Sequence, residues 1–163
     1  MDLATFVVVR RFASVIEAAN HHLTDMSNGR LSLEAFEEAT GTQQRGGLGI
    51  RVFDHHTEQT RSPKTLSGGE TFFTSLSLAL GLAEIVTSES GGVALDTLFV
   101  DEGFGSLDQE TLDNVMAALA GLQRDGRVLG LVSHVTEMKE RIPERIEVRR
   151  SRTTGPSELQ VRA

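Results

Sequence analysis

Leu66-Ser67-Gly68-Gly69-Glu70 sets a hydroxyl and two adjacent glycines at the head of a long apolar stretch. Glycines let a ligand approach the backbone closely, and a helix N-terminus offers unpaired N–H groups and partial positive charge to a phosphate. Ser67 and Glu70 also stand in the S-x-x-E relation of a capping box, which needs no ligand. Leu98-Phe99-Val100-Asp101-Glu102 is an apolar run closed by two carboxylates. One of them can hold Mg²⁺ directly or through water, while its neighbour orients a water for phosphoryl transfer. An acidic turn after a strand has the same composition. Val132-Ser133-His134 ends a second apolar run on a side chain able to donate a hydrogen bond to a terminal phosphate. A surface histidine is the plainer alternative there.

The elements around these residues follow from the apolar spacing. Phe6, Val9, Ala13, Ile16 and Leu23 predict a helix from Thr5 to Met26, stopped by Ser27-Asn28-Gly29. A short strand is expected over Arg30 to Leu33, an exposed Gly- and Gln-rich loop over Gly41 to Gly49, and a half-buried strand over Gly49 to Asp54. Phe72 to Val86 is apolar on most sides, too dense for a surface helix and too short to cross a bilayer. Leu95 to Val100 and Val128 to Val132 read as strands covered on both faces, with a helix from Gln109 to Leu122 between them. That order predicts a parallel α/β sheet, in which ligands bind at the carboxyl ends of the strands. Gly103-Phe104-Gly105 makes a sharp turn, and Ser106 and Gln109 are spaced as a second capping box. Two short strands joined at Thr154-Gly155-Pro156 close the chain.

The 163 residues suffice for one domain, and 39% hydrophobic with 24% charged residues excludes a disordered or fibrous chain. With no Cys there is neither a disulfide framework nor a Cys-based zinc or redox site, which fits a reducing cytoplasm. Met1 to Phe6 shows no basic region before an apolar block, so no secretory signal and no membrane partner are expected. The net charge of −7 argues against wrapping nucleic acid over the whole surface. From Lys139 onward, however, seven basic residues face four acidic ones. Arg145, Arg149, Arg150 and Arg152 form a basic stripe there, either a DNA-backbone contact or a solvated strand face. Asp54-His55-His56 with Glu58 is a weak metal candidate, because neighbouring histidines on a strand point to opposite faces.

In order, these motifs resemble the second half of an ABC-type ATPase head: signature motif, Walker B strand, D-loop and H-loop. Leu66 to Phe73, Phe99 to Asp108, Val132 to Val135 and Met138 to Pro143 are similar to the SbcC branch of the SMC-like heads. Phe12 to Leu31, with Ala18-Ala19-Asn20 and Met26 to Arg30, resembles the stretch where a returning coiled coil enters such a head. Transporter ATPases typically carry Gln after the signature glycines and Pro-Thr after the Walker B acids. Glu70 and Gly103-Phe104 stand here instead.

The resemblance implies an α/β fold, the C-terminal lobe of an ABC-type P-loop ATPase head with a largely parallel sheet flanked by helices. Residues 1–28 would end the coiled-coil helix and 29–163 would form the lobe. It further implies a split nucleotide site, in which the signature of one head meets the γ-phosphate of ATP held by another. Leu66, Ser67, Gly68, Gly69 and Glu70 would make that contact in trans, and Asp101 would support Mg²⁺ through water. Glu102 would be the catalytic base, His134 would sense the γ-phosphate, and the D-loop residues Ser106, Leu107 and Asp108 would couple the two sites. The partners implied are an N-terminal ATPase lobe with Walker A, a second SbcC-like head, an SbcD-type metallo-nuclease subunit and double-stranded DNA. The setting would be cytoplasmic and nucleoid-associated.

These 163 residues contain no G-x-x-x-x-G-K-[ST] loop. Gly41 to Gly46 has the glycine spacing, but Gly47-Leu48 replaces the Lys and hydroxyl. Another SMC-like chromosome-maintenance ATPase and a non-catalytic interaction module are the alternatives. In either case a sheet built to continue into another lobe should leave an apolar face exposed.

Overall fold

The apolar spacing near the N-terminus produces a single helix, α1, Leu3–Met26. The computed structural model describes residues 3–37, 48–89, 91, 97–124, 128–150 and 155–162. Along α1 the character changes. Phe6, Val7 and Val8 are exposed, whereas Ile16, Ala19, Leu23 and Met26 lie in the core. The helix stops where Asn28 and Gly29 turn left-handed, at φ 51° and 76°, and the Gly29 N–H reaches back to the Thr24 carbonyl.

Three antiparallel strands follow: β1 Leu31–Glu37, β2 Leu48–Asp54 and β3 Gln59–Arg61. The first strand is longer than the sequence reading, and the loop expected between β1 and β2 lies largely outside the described residues. The free edge of β1 is met by Asn20. Its amide donates to the Leu33 carbonyl at 3.0 Å and accepts the Leu33 N–H at 2.6 Å, so one side chain of α1 replaces a strand neighbour.

Helix α2, Gly68–Glu89, packs along α1. It is longer than its apolar stretch suggested and, with 22 residues, is long and apolar enough to cross a membrane by length and composition alone. Phe73, Leu76 and Leu80 join the hydrophobic core, so this is a core helix. It is not buried on most sides as expected, because Leu82 and Val86 are exposed. At the crossing, a Cβ on Gly81 would lie 2.5 Å from the Ala19 backbone nitrogen. The two helices therefore meet backbone to backbone.

The parallel part consists of β4 Thr97–Asp101 and β5 Val128–Val132, with α3, Gln109–Arg124, between them in sequence. Asp101 pairs with Val132 at the carboxyl end. Helix α4, Thr136–Arg141, then leads to an antiparallel hairpin of β6 Arg145–Arg149 and β7 Glu158–Arg162. The architecture is α/β. Among the described residues the sheet is not largely parallel as expected: β4–β5 is a parallel pair, while β1–β2–β3 and β6–β7 are antiparallel, because short connections return the chain directly alongside the preceding strand.

The cover expected on both faces of β4 and β5 is present on one. β4 and β5 are covered on one face, where Leu98, Val100, Leu129 and Leu131 pack on the core. Phe99 on the other face is 73% exposed, and Val128 and Val132 are exposed beside it. A continuous apolar run records a face suited to burial, and nothing within the described residues covers this one.

The α1–α2 crossing yields a direct test. Gly81→Ala should destabilise the chain by about 1–3 kcal/mol, because a methyl group there overpacks against backbone that cannot rotate away. Chemical denaturation of the two proteins measures the difference.

Candidate functional site

Helix α2 starts with the predicted capping box. The Ser67 Oγ accepts the Glu70 N–H at 3.2 Å, and the Glu70 carboxylate accepts the Ser67 N–H at 2.8 Å. The Thr71 N–H bonds the Ser67 carbonyl, so the amides of Gly68 and Gly69 have no carbonyl one turn earlier to bond. Leu66 is partly buried against the core and anchors the turn. A Cβ on Gly69 would sit 2.7 Å from the Thr111 side chain, so this glycine lets the first turn of α2 lie against the start of α3.

Glu70 has a second set of partners. Arg61 donates to both of its oxygens at 3.4 Å, and Arg30 lies 3.0 Å away. Both arginines also reach Asp54, Arg30 at 2.9 Å and Arg61 at 3.4 Å. Asp54 is 0% exposed and also accepts the His56 N–H at 3.0 Å. The Arg30 hydrogen bond holds the Asp54 carboxyl at about 2, against the opposing effect of burial. For Glu70, burial pushes the carboxyl up, but the Ser67 N–H and the two arginines outweigh it and leave it below its ordinary value.

This network changes the reading of Asp54-His55-His56. The Asp54 carboxylate is taken by arginine, and the His55 ring sits 3.0 Å from the Ser32 Oγ and edge-on to Phe53. Among the described residues no group of three or more His, Cys, Asp or Glu is placed to share a metal.

At the other end of the site, the Glu102 N–H continues the sheet by donating to the Val132 carbonyl at 2.9 Å. Its φ of 60° is left-handed, a strained state for a residue with a side chain. Gly103 follows at φ 96° and faces the Phe72 ring so closely that a Cβ would lie 2.8 Å from it. Phe104, only 1% exposed, then plugs the turn into the core against Phe72. The result places the Glu102 Oε1 3.2 Å from the His134 Nδ1, with both side chains largely exposed.

Asp108 departs from expectation. It caps α3 in place of Ser106, its Oδ1 accepting the Thr111 N–H at 2.8 Å, while Ser106 belongs to the preceding 3-10 turn, Phe104–Ser106. The hydrogen bonds from Thr111 hold the Asp108 carboxyl below its usual value. Leu107 is partly buried against the core.

A groove of about 580 Å³ runs between α2 and β4, lined by Gly68 and Thr71 on one side and by Phe99, Asp101, Glu102 and Gly103 on another. The structure thus brings Glu102 and His134 into contact, sets Asp101 beside them, and places the first turn of α2 across the groove. Glu70 turns away, toward Arg61 and Arg30.

The SbcC/RAD50-like Walker B motif family model matches residues 37–121. The chain belongs to this SbcC/RAD50-like family. It is 47% identical over 148 residues to the SbcC component of the SbcCD nuclease from Staphylococcus saprophyticus, and 46% identical over 149 residues to that from Staphylococcus aureus. Each alignment covers 91% of this chain but only 14% and 15% of those proteins, so the chain spans about one-seventh of their length. The fold also matches solved SMC heads. A structure from work on ATP-driven dimerization and DNA-stimulated activation of SMC ATPases aligns with a TM-score of 0.69 at 17% identity, covering 96% of this chain and 88% of that one. An Smc head with an extended coiled coil from Pyrococcus furiosus, bound to the C-terminal domain of ScpA, aligns at 0.63 and 17% identity, covering 94% and 35%. The α/β lobe therefore shares the fold of these solved SMC heads.

Within this SbcC/RAD50-like lobe two arginines of the basic stripe share one carboxylate of the hairpin. Arg145 and Arg149 both bind Glu147 at 3.0 Å; Arg150 is exposed, and Arg152 lies outside the described residues. Arg30 and Arg61 were not legible as partners of the signature turn, since only the strand register brings them there.

The Asp54 ion pairs predict a particular pH dependence. At neutral pH Asp54→Asn should cost about 2–3 kcal/mol, the worth of hydrogen bonds to charged partners. Above about pH 5 the carboxyl is ionised in both folded and unfolded chains and the difference is fully present. As pH falls from there through about 2, the unfolded chain takes up its proton first and the difference disappears. Denaturant unfolding of both proteins across that range measures it.

Proposed function

We propose that this chain is the C-terminal lobe of an SbcC-like ATPase head, serving ATP-dependent processing of double-stranded DNA ends in break repair and recombination. The observation that carries the reading is the Glu102–His134 pair, 3.2 Å apart at the carboxyl ends of two parallel strands and held by a left-handed residue in a plugged turn. Strain kept at an exposed acid is a signature of use. The identity of 45–47% to SbcC relatives favours this branch over other SMC-like ATPases, whose heads share the fold at 17–18%.

In this reading residues 1–28 end a returning coiled-coil helix and 29–163 form the lobe. The exposed Phe6, Val7 and Val8 support a helix that continues beyond its contacts here. A Walker A lobe outside these 163 residues, on the same polypeptide or a separate one, supplies the cradle for ATP, and a second head closes the site.

The chain's own residues divide the work. Ser67, whose Oγ already accepts the Glu70 N–H, keeps its proton to donate to a phosphate oxygen, and the Gly68 and Gly69 amides add donors beside it. Asp101, exposed at the end of β4, would hold Mg²⁺ through water, and the ion would supply positive charge against that developing on the transferred phosphoryl group. Glu102 orients the attacking water and accepts its proton. His134, already within reach of Glu102, steadies that carboxylate and donates toward the terminal phosphate. Asp108, at the start of α3, packs through Thr111 against Gly69 and so links the D-loop to the signature turn. Cleavage of DNA belongs to an SbcD-type metallo-nuclease partner, in a cytoplasmic, nucleoid-associated complex.

In the complete head, Glu102→Gln should retain ATP and the ATP-dependent dimer while lowering turnover on the order of 100-fold or more. Normal turnover would remove Glu102 from the role of base. The 163 residues alone should not hydrolyse ATP, and robust phosphate release by them would overturn the split-site reading.

A further inference from the structure

We propose that Arg30 and Arg61, anchored on the buried Asp54 carboxylate, are positioning residues for the signature serine. The inference rests on the reading of Ser67 as a phosphate contact.

A capping box needs only an acceptor at its fourth position, and a neutral amide supplies one. Here the fourth residue is a carboxylate with far more around it than a cap requires. One oxygen of Glu70 takes the Ser67 N–H at 2.8 Å and an Arg61 N–H at 3.4 Å. The other is 3.0 Å from Arg30 and takes a second Arg61 N–H at 3.4 Å. Arg61 also donates to the Thr65 carbonyl at 2.7 Å, fixing the 3-10 turn, Pro63–Thr65, that feeds the signature. Asp54 holds both guanidinium groups from beneath.

Two consequences follow. The Glu70 rotamer is fixed from both oxygens and holds the Ser67 N–H, while the Glu70 backbone N–H occupies a lone pair of the serine Oγ and so narrows the directions in which that hydroxyl donates. The second is electrostatic. A bare carboxylate one helical turn from Ser67 would repel an approaching triphosphate, and the two arginines balance the charges of Glu70 and Asp54. Arg30 follows directly on the turn that ends α1, so the network also ties the orientation of the signature to the root of that helix.

The test uses the complete head with Arg61→Ala, Glu70→Gln, the double variant and Ser67→Ala. ATP-dependent dimerisation is read by light scattering, nucleotide binding to a single head by a fluorescent ATP analogue, and folding by thermal unfolding. Arg61→Ala should weaken dimerisation about tenfold, with single-head nucleotide binding within about twofold of the parent. Glu70→Gln keeps the cap but removes the charge the arginines balance, so adding Arg61→Ala to it should change dimerisation by less than about threefold. Losses that multiply in the double variant, or dimerisation that falls in step with nucleotide binding and thermal midpoint, would overturn the inference. If Arg61→Ala does not fold, Arg61→Gln, which still donates to the Thr65 carbonyl, carries the same comparison. Should Ser67→Ala abolish dimerisation while Arg61→Ala leaves it intact, the positioning role fails and the signature reading stands. Should Ser67→Ala leave dimerisation intact, the phosphate contact itself is wrong.

Discussion

A carboxylate with no access to water survives only where hydrogen-bonded partners meet its charge, and Asp54 satisfies that constraint with two arginines and a backbone amide. The requirement propagates. Arg30 stands between α1 and β1, Arg61 at the end of β3, and Asp54 at the end of β2, so one buried charge fixes these three points relative to each other. Because the same arginines reach Glu70, the start of α2 inherits its orientation from the sheet. The helix that carries the signature turn is then clamped at two places, by this network at its N-terminus and by the backbone contact of Gly81 with Ala19 farther along.

The acidic end of β4 is positioned by a different kind of force. Phe104 is drawn into the core against Phe72, and the chain between Asp101 and Phe104 has to span the remaining distance in two residues. It does so through consecutive left-handed positions at Glu102 and Gly103. Glycine takes such a conformation freely, whereas Glu102 takes it at a cost set against the burial of a phenyl ring. Hydrophobic anchoring thus presents a charged side chain, and the 3.2 Å approach to His134 follows from the parallel register that puts Asp101 opposite Val132.

Local chemistry was legible in the sequence wherever the partners are close along the chain. The Ser67–Glu70 box, the stop at Asn28-Gly29 and the helical periods of α1 and α3 all concern residues within a turn or two of each other. The Ser106 cap was misplaced by two residues because Asp108 competes for the same role and a carboxylate is the stronger acceptor for a helix amide. Asp54 was a weak metal candidate beside two histidines and no more, since nothing local announces that Arg30 and Arg61 arrive from 24 and seven residues away. Asn20 was equally silent: an amide on a helix gives no hint that it will serve the edge of a strand.

The apolar surface shows a second limit of the same kind and bears on the assembly. Phe99, Val128 and Val132 on one sheet, and Ile146 with Val161 and Val148 with Leu159 as register pairs on the hairpin, are exposed in the described structure. On β6 these residues alternate with Arg145, Glu147 and Arg149, where two arginines share one carboxylate and a positive charge is left over. An alternation that gathers charge on one face and leaves the other apolar is the pattern of a strand waiting for cover, because a solvated hairpin gains nothing from four aligned aliphatic side chains. The charged face is solvated and keeps a net positive charge, whereas the apolar face has the composition of a buried surface. Period-two alternation thus separates the two faces of one hairpin, and only the apolar one costs free energy for as long as water covers it.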